Sequence, residues 1–283
     1  MNSTKQGKNL DLSSCFKSNM YKDFINSKIS NASKMANEFF GKVSASTKSD
    51  DNNQVLTEAD LAIGNYLVKS IKSQYPSHNI IDEESGIVDN GSDFTWVVDP
   101  IDGTSNFANG LPMYGIIIGL LERNNPVAGG VALPYFNEIY IAEINKGCTL
   151  NGVSIKNTFN TQLIDSLVAY GIDGHQENPS LTSDECESLE KLILKIRNLR
   201  SSNSCFDAMM VVKGKYGAYL NKTSKIWDNV GLEVVLNEAG CNYTDFAGRS
   251  IDYDHPLTKV KENFEFLMCA PNLHSDLLHI YQN

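Results

Sequence analysis

The chain has 283 residues, 41% of them hydrophobic and 20% charged, which is enough to bury one large core or two modest ones. A formal net charge of −10 argues against a nucleic-acid or anionic-membrane surface. It does not argue against a small anionic substrate, because bound divalent cations invert the local field.

Residues 1–18 read as a polar tail, and the first forty residues carry no apolar run of secretory type. No stretch approaches the roughly 18–20 apolar residues that a membrane helix needs. We therefore expect a cytoplasmic protein. Its six scattered cysteines, without a C-x-x-C pair, read as reduced and mostly buried thiols. The five histidines show no zinc-ligand spacing.

A first helix is expected over about 19–40, followed by a polar loop at Lys48–Asn53. A second helix is expected over about 57–74, with Leu61, Gly64, Leu67, Val68 and Ile71 on one stripe and a capping segment from Thr57 to Asp60. Short strands follow at Asn79–Asp82 and Thr95–Asp99. A β-meander then runs through 116–121, 127–133 and 138–143, with a hairpin near Asn151-Gly152.

Beyond residue 160 strands and helices alternate. Strands are expected at 166–170, 216–220, 241–246 and 264–269, with helices at 184–199, 204–213, 227–239 and 272–281. This gives an α/β protein with an α+β first half (19–160) and an α/β second half (161–283). A cleft between halves is a usual place for a small-molecule site.

The segment Trp96-Val97-Val98-Asp99-Pro100-Ile101-Asp102-Gly103-Thr104 carries the most chemistry. An apolar strand ends in Asp99, Pro100 fixes a turn, and Asp102 emerges beyond it. The two carboxylates can then converge on the same ions, with the Ile101 carbonyl as a further oxygen ligand. Gly103 lets a substrate approach the backbone, and the amides at Gly103 and Thr104 can hold a phosphate oxygen.

That run, with Glu83-Glu84-Ser85, Trp227-Asp228, Glu238-Ala239-Gly240 and Thr57-Glu58-Ala59-Asp60 in order along the chain, resembles the inositol monophosphatase family. The resemblance implies a layered αβαβα sandwich of the sugar-phosphatase type. It implies hydrolysis of a small phosphate monoester, with two or three Mg²⁺ ions held by Glu83, Asp99, Ile101, Asp102 and Asp228. Four clustered carboxylates need hard cations to be tolerable, and an all-oxygen shell suits Mg²⁺. The resemblance further implies that Thr104 and Asp60, with Glu83, serve catalysis by orienting and deprotonating the attacking water; Thr57 and Asp60 also fit a plain capping box. Lithium sensitivity and a homodimer follow from the resemblance alone.

Substrate contacts are expected from Asp102, Gly103, Thr104, Ser204, Cys205 and Asn221, and the phosphorylated partner is expected to be a polyol or sugar. Two positions depart from the family pattern: Asn203 stands at a glycine and Asn221 at a glutamate that hold the inositol ring. The substrate is then inositol monophosphate or a related polyol phosphate. Fructose 1,6-bisphosphate, histidinol phosphate and 3′-phosphoadenosine phosphate remain as alternatives, as does a non-catalytic interaction protein on the same fold.

Overall fold

The computed structural model describes residues 20–42, 46–47 and 55–282; the expected tail at 1–18 and loop at Lys48–Asn53 lie outside them. Helix α1 (Met20–Phe39) is followed by a two-stranded ribbon of β1 (Ser46–Thr47) and β2 (Val55–Leu56), then by α2 (Glu58–Gln74). Strands β3 (Asn79–Asp82), β4 (Gly86–Val88), β5 (Phe94–Asp102), β6 (Gly115–Glu122), β7 (Asn125–Leu133), β8 (Glu138–Glu143), β9 (Cys148–Leu150) and β10 (Val153–Ile155) form one eight-stranded sheet in the order β10-β9-β8-β7-β6-β5-β3-β4. Only β3 and β5 are parallel in it. The short helix α3 (Thr104–Ala108) lies between β5 and β6.

The second half contributes β11 (Leu167–Tyr170), α4 (Pro179–Ile193), β12 (Asn198–Arg200), α5 (Cys205–Val212), β13 (Ala218–Ser224), α6 (Ile226–Glu238), β14 (Asn242–Thr244), β15 (Phe264–Cys269) and α7 (His274–Gln282). Its five strands order as β12-β11-β13-β15-β14. Helices α1 and α2 cover one face of the large sheet, while α5 and α6 fill the space between the sheets. Helices α4 and α7 share a core with the far face of the small sheet. Five layers result, helix–sheet–helix–sheet–helix, as expected for two half-buried sheets that must each cover both faces.

Three expectations need correction. Helix α4 spans Pro179–Ile193 rather than 184–199. Pro179 occupies its first turn, where a missing N–H costs nothing, and the apolar pattern overran its end because Ile196 joins the same core cluster as Leu192. On α2 the buried stripe is Asp60, Ile63, Gly64, Leu67 and Ile71, whereas Leu61 is 45% exposed. Stepping back from Leu67 by helical spacing reaches Asp60, so a carboxylate, not Leu61, ends the buried face. Strand β5 does not turn at Pro100 but continues to Asp102.

Helix α6 lies on the large sheet through glycines. Gly119 and Gly129 are cross-strand partners on β6 and β7. A Cβ on Gly119 would come within 2.6 Å of the Gly231 nitrogen, and one on Gly129 within 2.4 Å of the Gly231 carbonyl. Peptide meets peptide with no side chain between, which only glycine permits.

Candidate metal centre

The pairing of β5 with β6 sets Asp99 opposite Ile117 and Asp102 opposite Gly115, so three steps on one strand match two on the other. This is a β-bulge, and Pro100, which has no N–H to offer the ladder, lies within it. In a regular strand residues three apart point to opposite faces. The extra residue corrects the parity and turns Asp102 toward the side that Asp99 occupies.

Asp228 reaches the same place from the first turn of α6, where its carboxylate accepts the Lys225 N–H at 2.6 Å. Ligand oxygens of Asp99, Asp102 and Asp228 all lie within 4.8 Å of one another. Glu83 follows β3, and its N–H donates to Val98 O at 3.2 Å. It lines the same cavity of about 480 Å³ but stands outside that carboxylate trio. The Ile101 carbonyl accepts the Thr104 hydroxyl at 2.8 Å.

Electrostatics follow from burial. Asp99 is 2% exposed, and burial together with the charges of Glu83, Asp102, Asp228 and Asp60 holds its carboxyl far above the usual range. Burial pushes Asp102 up to about 6, opposed by the Cys205 N–H that donates to it. Burial and the Asp102 charge push Asp228 to about 7. One oxygen of Asp99, Oδ1, is buried with no hydrogen-bond partner. A buried lone carboxylate oxygen among like charges is costly, and a hard cation removes both costs. The residues fit a magnesium-type ion: oxygen donors only, several of them anionic.

Beside this cluster, Thr104 Oγ1 is 3.1 Å from Asp60 Oδ1. Asp60 is 1% exposed, and its other oxygen accepts both the N–H and the hydroxyl of Thr57. Burial raises its carboxyl above the ordinary value despite those bonds. Asp60 closes the capping box of α2 and also touches Thr104.

The expected substrate contacts divide. Asp102, Gly103 and Thr104 line the main cavity, whereas Ser204, Cys205 and Asn221 line a smaller recess that shares Asp102 and Asp228 with it. Ser204 caps α5 by accepting the Phe206 N–H at 3.3 Å. Asn221 spends its carbonyl oxygen on the Thr223 N–H at 2.7 Å.

Asn203 has a physical explanation. Its φ is +55°, in the left-handed region that favours glycine and that asparagine tolerates best among other residues. Asparagine therefore keeps the turn and adds an amide, which donates to Asp173 Oδ1 at 2.9 Å.

Sequence reasoning missed His175 and Asp173, which line the main cavity, and Glu185 behind them. They belong to no motif, and the loop between β11 and α4 that brings them in has no periodicity to read.

The family model for the inositol monophosphatase family matches residues 18–278. Inositol monophosphatase 1 of Solanum lycopersicum is 32% identical over 204 residues, covering 70% of this chain and 74% of that protein. Among solved structures, Thermotoga maritima IMPase is similar in fold, with a TM-score of 0.79, 24% identity, and coverage of 92% of this chain and 96% of that one. An IMPase/NADP phosphatase complexed with Mg²⁺ and phosphate gives a TM-score of 0.76 at 20% identity, covering 92% and 94%.

Proposed function

The chain belongs to the inositol monophosphatase family of phosphatases, and on that footing we propose that it hydrolyses a small polyol or sugar phosphate with Mg²⁺ as cofactor. The observation that carries this reading is the trio of Asp99, Asp102 and Asp228 with a buried, partnerless oxygen on Asp99. In this reading those three, with Glu83 and the Ile101 carbonyl, hold two or three ions. Bound Mg²⁺ would lower the pKa of water and neutralise charge on the phosphoryl oxygens.

The chain's own groups supply the rest. Asp60 Oδ1 is the proton acceptor. The Thr104 hydroxyl passes its proton there as it takes one from the attacking water. The Ile101 carbonyl holds the Thr104 rotamer in that line. Burial of Asp60 strengthens it as a base relative to an exposed carboxylate. The Cys205 N–H fixes one oxygen of Asp102 and leaves the other for ligands. Gly103, Thr104, Ser204, Cys205 and Asn221 surround the ester.

We further read the protein as a lithium-sensitive, cytoplasmic homodimer, in keeping with the family resemblance. Among the described residues no helix is long and apolar enough to cross a membrane. Tyr135 and Phe136 are exposed side by side, which suits a face covered by a second copy.

Phosphate release from a broad panel of monoesters, with Mg²⁺ and with chelator, tests the reading. Turnover that needs the metal and that Asp99→Asn lowers by more than about a hundredfold supports it. No release from any monoester would overturn it.

A further inference from the structure

The leaving-group side of the cleft contains a buried carboxylate that the phosphatase chemistry does not use. Glu185, on α4, is 1% exposed. Its Oε1 accepts the Thr223 hydroxyl at 2.7 Å. Its Oε2 stands 3.3 Å from His175 Nε2, and the line between them falls short of hydrogen-bond geometry. Neither of those two buried atoms has another hydrogen-bond partner.

Leaving a buried donor and acceptor this poorly satisfied costs about 1–3 kcal/mol per group. An apolar residue would fill the site more stably, so stability alone gives no account of a carboxylate there. Both groups that Glu185 addresses, His175 and Thr223, line the main cavity beside the carboxylate trio.

The pairing dictates what these groups can offer. Thr223 has given its proton to Glu185, so it meets a ligand through oxygen lone pairs. The His175 ring has turned Nε2 inward, so it meets a ligand through Nδ1. Its backbone is pinned by the Thr182 hydroxyl, 2.7 Å from the His175 nitrogen. Asp173, which adds another acceptor, is oriented by the Asn203 amide. Lys225, the basic group on this side nearest the trio in sequence, directs its Nζ to Asn263 Oδ1 at 2.7 Å and to the Lys261 carbonyl. Lys261 lines the cavity as well. The acceptors at Asp173 and Thr223 suit hydroxyl donors.

We infer that Asp173, His175 and Thr223 contact the hydroxyls of the leaving group, with Glu185 as the positioning residue that holds His175 and Thr223 in place. The inference rests on the phosphatase reading above. Binding tightens the Glu185–His175 contact, as apo sites commonly hold such bonds long.

The test is steady-state kinetics with Mg²⁺ on inositol 1-phosphate, fructose 1,6-bisphosphate and p-nitrophenyl phosphate, whose leaving group carries no aliphatic hydroxyl. The readout is the kcat/KM ratio of inositol 1-phosphate over p-nitrophenyl phosphate. His175→Ala and Thr223→Val should each lower that ratio about tenfold, mainly through KM. Glu185→Leu, which fills the space without a carboxylate, should lower it similarly, and Glu185→Gln should lower it less. Melting temperatures identify any variant that is simply unfolded, and the partly exposed His175 provides a variant free of core disruption. Equal losses on all three substrates, or an unchanged ratio, would each overturn the inference. A wild type silent on every substrate would instead remove the phosphatase reading, and the subsite with it.

Discussion

Asp99 and Asp228, from strand β5 and helix α6, bring carboxylate oxygens within 4.8 Å of one another. Burial and the neighbouring carboxylates favour the protonated form of each.

This predicts a pH dependence of stability. Asp102 and Asp228 rise from an ordinary 3.8 to about 6 and about 7, burial being the first cause of each. A carboxyl raised on folding contributes most below its unfolded value and loses that contribution as pH climbs through the folded one. Without metal the melting temperature should fall between about pH 4 and 7 for this reason. Millimolar Mg²⁺ should reverse that fall, because it binds the native, deprotonated cluster. Thermal melts across this range, with and without chelator, check it; a metal-independent profile would contradict it.

The Thr104–Asp60 contact predicts a split between two threonine variants. Thr104→Ala should lower kcat by about 10²–10⁴-fold, the usual range for proton transfer by a positioned group. Thr104→Ser keeps the hydroxyl and should retain most of it. Asp60→Asn should match the alanine variant in rate. It should also lower stability, since Asp60 caps α2 through Thr57. Single-turnover rates and melting curves separate the two effects.

Position 203 offers a backbone test. Asn203→Gly should preserve stability, because glycine enters the φ = +55° conformation without penalty. Asn203→Ala should cost about 1–2 kcal/mol, the price of a left-handed non-glycine residue. Chemical denaturation of the three proteins gives the comparison.

At Gly231, a Cβ would fall 2.7 Å from both Ile117 Cγ2 and the Ile118 carbonyl oxygen. Gly231→Ala should therefore lift α6 and cost about 1–3 kcal/mol, as overpacking does. Metal affinity should weaken along with stability, because Asp228 rides on that helix. Isothermal titration of Mg²⁺ against wild type and variant measures the loss.

Much of the centre was legible because its information is local. Asp99, Asp102 and Thr104 occupy one short run, and Trp227-Asp228 opens a helix that hydrophobic periodicity finds unaided. Physical detail was less accessible. The run suggests a turn at Pro100, whereas a bulge in β5 carries the strand through, and bulges depend on the partner strand's register. Leu61 is the natural apolar choice on α2 by composition, yet spacing gives the buried face to Asp60. His175 and Glu185 were invisible, since their meeting depends on where an aperiodic loop ends. Asn203 departs from the family glycine in identity but keeps its left-handed conformation, which the sequence alone does not display.

The glycine contact under α6 has one more consequence. The spacing between α6, which carries Asp228, and the large sheet is set where two main chains touch, so side-chain repacking at that contact cannot alter it. The inferred leaving-group residues, by contrast, sit on the loop after β11 and on strand β13, with Glu185 behind them on an outer helix. Such a division lets descendants of this chain trade one alcohol for another by altering the loop, while the acids of β5 and α6 keep their places.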